Sequence, residues 1–441
     1  MVEARLVSPQ SRIQFLAGLP ELRALITFFI GTSFVITLWV KGVQIPLSPF
    51  TWIVALIAVC AATRILGQGH LTEVLQGLQA PLFKTAPNGL SSLHVAIVTG
   101  ASSGIGLETV KQLARQNVFV ILAVRNPSKM QNALHTICSE LKISDQGKYF
   151  RVMELNLDSL QSVKNFVENY NKLGLLPHSL AFLVNNAGAM LSAPKLISDA
   201  ATGQPVDSAF STNHLGHFLL TCLLFPTLVR SGTRVVSLSS AMHLAFTAST
   251  PVTATNTTDA KKWDAPAAYA GGKISNIWFT RALQRRFDRY YASQKQPSQQ
   301  QATAYAIAPG TVWTAFHMPY YKEFMGGILI WFPVVMGIPS YFSFKSAFEG
   351  CQSTLHMLFA GNPRIAQSDA SPQVNEKMEK LFQVEPTARP SPGQMHAECR
   401  LAPMSSVAAD ETKAEKHWEY SLQLVQHLMS KETTQHFDLI Q

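Results

Sequence analysis

The chain has 441 residues, of which 47% are hydrophobic and only 14% charged. An ordinary soluble domain carries about 25% charged residues, so this composition excludes a disordered chain and argues for a membrane segment. Five cysteines are spread far apart with no CxxC or Cys/His zinc spacing, which argues against a disulfide scaffold and a structural zinc site, and no metal is expected. The net charge of +9 is dispersed rather than gathered in a run; that suits an anionic membrane surface or a phosphate ligand, and no nucleic-acid partner is expected.

Residues 24–40 (ALITFFIGTSFVITLWV) are uncharged and lie between Arg23 and Lys41. A second uncharged run covers about 45–63, with Pro46 and Pro49 near its start, where proline is tolerated. A helix needs about 20 apolar residues to span the hydrocarbon core. The two runs predict a membrane anchor within residues 1–90, a hairpin in preference to one span, with Trp39 and Trp52 suited to the interfaces. A cleaved signal peptide fits poorly, because the first run is long, begins late and is followed by a second. A hairpin returns both ends to one side, and Arg5, Arg12, Arg23 and Arg64 place that side in the cytosol. The endoplasmic reticulum or a lipid droplet is the expected location.

From residue 94 to 316, strand-like and helix-like patterns alternate. Strands are predicted at 94–99, 118–124, 149–155, 181–184, 234–238 and 303–308, with helical patterns between them. This alternation predicts an α/β fold of Rossmann type, a doubly wound parallel sheet within one domain spanning 91–441. Residues 324–344 form another uncharged run, interrupted by two prolines and three glycines; an apolar flap is predicted there rather than a third span. A helix is predicted at 346–359, a polar insert rich in Pro, Ser and Ala at 363–413, and a last helix at 414–430.

The first strand runs directly into Thr99-Gly100-Ala101-Ser102-Ser103-Gly104-Ile105-Gly106, and a helix follows. Glycines allow a sharp turn and close approach of an anion to the peptide N–H groups at the positive end of the helix. The second strand ends Ala123-Val124-Arg125-Asn126, without the carboxylate that would bind a ribose 2′-hydroxyl, whereas Arg125 can pair with a 2′-phosphate. NADP(H) is the expected cofactor. Tyr269 and Lys273 are four apart, one turn along a helix face. A tyrosine of pKa about 10 is a poor base near neutrality, and an adjacent ammonium is expected to lower that value.

With these features the chain resembles the short-chain dehydrogenase/reductase family. TGASSGIG fits its TGxxxGxG pattern, Asn185-Asn186-Ala187-Gly188 its NNAG, Tyr269-Ala270-Gly271-Gly272-Lys273 its YxxxK, and Pro309-Gly310 with Thr314 its PG…T. The run Asn213–Thr221 (NHLGHFLLT) and Trp418-Glu419-Tyr420-Ser421 resemble the retinol-dehydrogenase-like branch, whose members act on lipid-like alcohols and ketones. The resemblance implies a catalytic set of Asn213, Ser240, Tyr269 and Lys273. Ser240 is preferred over Ser239 because the family's serine directly precedes an Ala-Met-His type segment, and Asn213 is expected to hold a water that connects Lys273 to solvent. It also implies cofactor contacts at Gly100, Ser102, Ser103, Gly104, Ile105, Gly106, Arg125, Asn156, Asn186, Ala187, Gly188, Tyr269, Lys273, Pro309, Gly310 and Thr314.

Two departures stand out. Asn156 replaces the usual Asp at the adenine, and Gly272 replaces the common Ser before the lysine. His214 and His217, three apart, lack a carboxylate or a third histidine and are not expected to bind metal. The sequon at Asn256 matters only in a lumenal domain. The function expected is a membrane-bound oxidoreductase interconverting an alcohol and a carbonyl on a lipophilic substrate such as a retinoid, polyprenol or sterol. The alternatives are a reductase of 3-keto sterols or 3-keto sphingoid bases, and a non-catalytic dinucleotide-binding scaffold. Membrane lipid is an expected partner, and a homodimer is left open.

Overall fold

The computed structural model describes residues 94–191, 193–197, 206–245, 263–294, 300–310, 345–366, 389–397 and 399–429, together with Phe83, Val312 and Glu376. Its centre is a sheet of short strands: β1 (Val95–Thr99), β2 (Phe119–Val124), β3 (Phe150–Glu154), β4 (Leu180–Asn185), β5 (Arg234–Leu238) and β6 (Thr303–Ala308). β1, β2, β4 and β5 are buried along their whole length. Mostly apolar strands buried along their length belong to parallel sheets covered on both faces. The order across the sheet is β3-β2-β1-β4-β5-β6, and every pairing among these strands is parallel. This is the doubly wound arrangement, in which the chain reverses direction across the sheet between β1 and β4.

Side chains alternate between the two faces. Ala96 and Val98 of β1 join a core with α1 (Gly104–Arg115), α2 (Pro127–Leu141) and α6 (Ala347–Phe359). Val95 and Ile97 join the opposite core with α3 (Leu160–Asn171), α4 (Gly216–Ser231), α5 (Ala265–Ser293) and α7 (Glu411–Val425). The helix starts are written locally. Asn126, Ser159, Asp264 and Asp410 each accept an N–H of the first turn, and Ser346 with Glu349 forms a capping box.

Residues 363–413 are not simply an insert. Met395–Ala397 (β7) adds a parallel strand beside β6, Arg400–Leu401 (β8) closes the edge antiparallel, and α7 begins at Glu411. A three-residue strand is too short to show a period, which is why the polar composition around it dominates the sequence reading. The short pair Leu196–Ile197 and Val206–Asp207 was equally invisible.

α7 locks the two motifs of the branch together. His214 and Ser421 meet at 2.9 Å. The Trp418 ring lies 4.7 Å from Phe218 and 5.9 Å from Phe279, with the Arg286 guanidinium 4.0 Å from its centre. Glu415 accepts from Arg285 at 2.7 Å and Arg286 at 3.0 Å.

The predicted membrane runs at 24–40 and 45–63, the flap at 324–344, Asn256 and Thr314 lie outside the described residues. Among the described residues no helix is long and apolar enough to cross a membrane. Phe83 is described: its ring is 4.1 Å from His94, just before β1, and its carbonyl accepts from the Asn117 side chain at 2.8 Å.

Buried histidines make the fold sensitive to acid. Burial pulls His217, His396 and His417 down to about 3, helped at His217 by Lys273 and at His396 by His356. In the unfolded chain these rings titrate near 6.5. Below that value the unfolded state gains protons that the folded state refuses, so stability present above about pH 6.5 is lost as the pH falls toward 3. Each such group contributes up to about 1.4 kcal/mol per pH unit. The melting temperature at pH 5 is expected to lie several degrees below that at pH 7.5; equal values contradict this account of the core.

Candidate active site

Every motif that follows a strand lies at the carboxyl end of the sheet. β1 runs into Gly100, whose N–H donates to Ala123 O at 3.1 Å and whose φ of +64° suits glycine. A Cβ on Gly106 would come within 2.4 Å of both Asn186 Nδ2 and Gly100 O, so only glycine closes this loop. Asn186 Nδ2 donates to Thr99 O at 2.8 Å. The main-chain N–H groups of Asn186 and Ala187 donate to Thr99 Oγ1 at 2.9 and 3.0 Å. The glycine loop and the NNAG turn, with Gly188 part-buried beside it, are therefore one fastened unit.

Ser103 occupies the N-cap of α1 without a side-chain cap bond, and Ser102 and Ser103 are exposed. Gly104 and Ile105 follow as the first residues of the helix, whose first-turn N–H groups have no acceptor within a helix. Arg125 stands exposed directly after β2. A cradle that only glycine fits, beside a helix N-terminus, fits a dinucleotide. Asn156 Oδ1 accepts the Asp158 N–H at 3.2 Å, which ties part of its amide into the turn after β3. Pro309 and Gly310 follow β6 at the same edge, Gly310 with φ +81°.

Across this edge from the glycine loop lies the second group. α5 presents Tyr269 and Lys273 one turn apart, and Tyr269 hydrogen-bonds the Ser240 side chain. Lys273 Nζ donates to Leu238 O at 3.0 Å and lies 5.3 Å from the centre of the Tyr269 ring. Ser239 is excluded from this work: it is buried and its hydroxyl donates to Lys273 O at 2.7 Å. Asn213 sits in a wide π turn, Ser211–Leu215, just ahead of α4. Its side-chain N–H groups donate to Ala189 O at 2.7 Å and Ala209 O at 2.8 Å, and its Oδ1 accepts the Ala189 N–H at 3.0 Å. The amide is thus committed to shaping the turn, so a water relay at this position would fall to the main chain. A Cβ on Gly272 would lie 2.8 Å from Asn213 Cβ, so the glycine lets α5 approach the turn closely.

The charge states differ from the sequence expectation. Burial pushes the Tyr269 phenol up to about 12, against the opposing pull of its hydrogen bond with Ser240. Burial also draws Lys273 down to about 8. The i,i+4 spacing predicted a phenol lowered by its neighbour. In the folded protein the loss of water outweighs that neighbour, because burial disfavours the charged form of each group.

Four further residues shape the site: Thr99, His217, His243 and Asn276. His217 Nε2 meets Thr99 Oγ1 at 2.8 Å beneath the loop, and Asn276 Nδ2 shares the Leu238 carbonyl with Lys273 at 3.0 Å. Asn276 lies three residues past Lys273 on the same helix, a spacing that marks it as a neighbour. Thr99 stands in the glycine motif itself. His214 and His217 are each met by a hydroxyl, of Ser421 and Thr99 respectively.

The short chain dehydrogenase family matches residues 94–255. Mouse retinol dehydrogenase 12 is 29% identical over 334 residues, covering 75% of this chain and 86% of its own. Human polyprenol dehydrogenase is 35% identical over 245 residues, covering 52% of this chain and 67% of its own. The chloroplastic short-chain dehydrogenase TIC 32 A of Brassica napus is 26% identical over 339 residues, covering 76% of this chain and 89% of its own. The chain belongs to the short-chain dehydrogenase/reductase family, in its retinol-dehydrogenase-like branch. Membership makes it an oxidoreductase of the alcohol/carbonyl type.

Proposed function

We propose that this protein is a membrane-anchored, NADP(H)-dependent oxidoreductase that interconverts an alcohol and a carbonyl on a lipophilic, isoprenoid-like substrate. The observation that carries the reading is the meeting of Ser240, Tyr269 and Lys273 at the strand ends that also carry the glycine cradle. The names of two relatives, retinol dehydrogenase 12 and polyprenol dehydrogenase, support the substrate class.

The roles are assigned from the sequence motifs together with the geometry. Gly100, Ser102, Ser103, Gly104, Ile105 and Gly106 would hold the pyrophosphate, Arg125 the 2′-phosphate, Asn156 the adenine side, and Asn186–Gly188, Pro309, Gly310 and Thr314 the nicotinamide side. When bound, NADPH supplies the hydride for the carbonyl carbon. Ser240 donates a hydrogen bond to the substrate oxygen and aligns it. Tyr269 holds its proton at neutral pH and gives it to that oxygen in reduction, or takes it back in oxidation. Lys273, positively charged and fixed on Leu238 O, stabilises the phenolate that remains. Asn213 acts by shaping the turn against which Tyr269 and Lys273 are set.

The membrane part of the reading rests on the two uncharged runs within residues 1–90, with residues 91–441 forming the catalytic domain. That domain faces the cytosol from the endoplasmic reticulum or a lipid droplet. The apolar flap at 324–344, with Ile328, Leu329, Trp331 and Phe332, follows the sixth strand; resting at the interface, it would admit substrate from the bilayer.

Two measurements test these proposals. In NADPH- and NADH-dependent reduction of all-trans-retinal, Arg125→Ala is expected to raise the NADPH dissociation constant about 10- to 100-fold, the equivalent of roughly 1.5–3 kcal/mol for a charged hydrogen bond. NADH binding should be unchanged, and a wild type that prefers NADH overturns the cofactor assignment. In sealed microsomes a C-terminal tag is expected to be digested by added protease without detergent. A tag protected until the membrane is dissolved, or glycan on Asn256, contradicts the orientation.

A further inference from the structure

We infer that His243 is a positioning residue: its ring and its main-chain N–H together hold the Ser240 carbonyl, and so aim the Ser240 hydroxyl at Tyr269. The inference rests on the reading of Ser240 and Tyr269 as the pair that handles the substrate proton.

The two serines after β5 are held in different ways. Ser239 is pinned twice: its N–H donates to Ile307 O at 2.6 Å and its hydroxyl to Lys273 O at 2.7 Å. Ser240 lies two residues beyond Leu238, the last residue of β5, and the short 3-10 turn Ala241–Ala245 sets its direction. In that turn the His243 N–H donates to Ser240 O at 3.1 Å. His243 Nδ1 lies 2.7 Å from the same oxygen. The Met242 N–H donates to Ser240 Oγ at 3.2 Å. A 3-10 turn by itself supplies one N–H to its first carbonyl. The imidazole adds a second donor, and the two fill both lone pairs of the Ser240 carbonyl.

The protonation state follows from the acceptor. A carbonyl can only accept, so Nδ1 carries the hydrogen and Nε2 is left as a bare acceptor. Burial pulls the ring down to about 4, so it stays neutral at physiological pH. A shuttle role would require the ring to take up a proton, which its environment opposes. Nε2 is buried and receives no hydrogen bond among the described residues. A leucine of similar volume would fill the space without leaving a buried polar atom unpaired. The bond to Ser240 is the service that the imidazole performs among the described residues.

The test compares His243→Leu with His243→Asn, whose amide N–H can stand near the place of Nδ1. In NADPH-dependent reduction of all-trans-retinal, the leucine variant is expected to lose about 10- to 100-fold in kcat, the scale of a small misplacement of a reacting group. Its NADPH dissociation constant should stay within about 2-fold of the wild type, since the cradle is untouched. The apparent pKa of its oxidation profile should move to the alkaline side, because the bond with Ser240 pulls Tyr269 down. The asparagine variant should recover most of the turnover. Without any substrate, amide hydrogen exchange in the 241–245 turn should quicken in the leucine variant and not in the asparagine variant. Unchanged exchange in the leucine variant overturns the inference, as does equal loss of turnover and NADPH binding in both variants. Ser240→Ala separates the two levels: if it keeps full turnover, the proton-handling reading itself fails. If it is inactive while His243→Leu is unimpaired, only the role of His243 falls.

Discussion

The hydroxyl of Thr99 is the fastening on which the site depends. It accepts the N–H groups of Asn186 and Ala187 at 2.9 and 3.0 Å, which uses both of its lone pairs. Its single hydrogen can then go to Val184 O at 3.3 Å or to His217 Nε2 at 2.8 Å, and the shorter contact favours the imidazole. An imidazole accepting there must be neutral, in keeping with a ring pulled to about 3 by burial and by Lys273. One oxygen thus ties together the loop after β1, the turn after β4 and the first turn of α4. It fastens the glycine cradle to the turn that leads into Ala189, the partner of Asn213.

A second constraint is burial along α5. This helix is enclosed by the sheet, by the π turn and by α7, so Lys273 is nearly without solvent, while Tyr269 one turn earlier is half-buried. Removing water pushes both groups toward neutrality, the phenol upward and the ammonium downward. The Leu238 carbonyl under Lys273 and the Ser240 hydroxyl at Tyr269 offset part of that cost where charge must appear during the reaction. The docking of Trp418 and Ser421 on Phe218 and His214 gives this arrangement its outer wall.

How much of this was legible in the sequence follows from the length scale of each cause. The strand at 119–124 could be read because it is a continuous apolar run, and those at 234–238 and 303–308 because short, mostly apolar stretches lie between polar segments. The glycine loop could be read because steric demand at Gly106 leaves no other residue type. Met395–Ala397 could not, since its place beside β6 depends on a partner about 90 residues away and three residues show no period. NHLGHFLLT and WEYS were recognisable separately, but that they form one packing unit is a tertiary fact. The direction of the Tyr269 shift was misread because spacing reports a neighbour and not the loss of water around it. His243 figured in the sequence only as the last residue of the Ala241-Met242-His243 segment that marks Ser240, because its own role comes from a ring orientation.

The most direct test of the account is the turnover of Tyr269→Phe, measured with NADPH and all-trans-retinal beside NADPH binding by the same protein. The phenylalanine ring keeps the packing and removes only the transferable proton, so normal NADPH affinity and a melting temperature close to that of the wild type are expected, with kcat lower by orders of magnitude. A Tyr269→Phe protein that reduces the aldehyde at a near-normal rate contradicts the central claim, because the proton would then reach the substrate oxygen by another route.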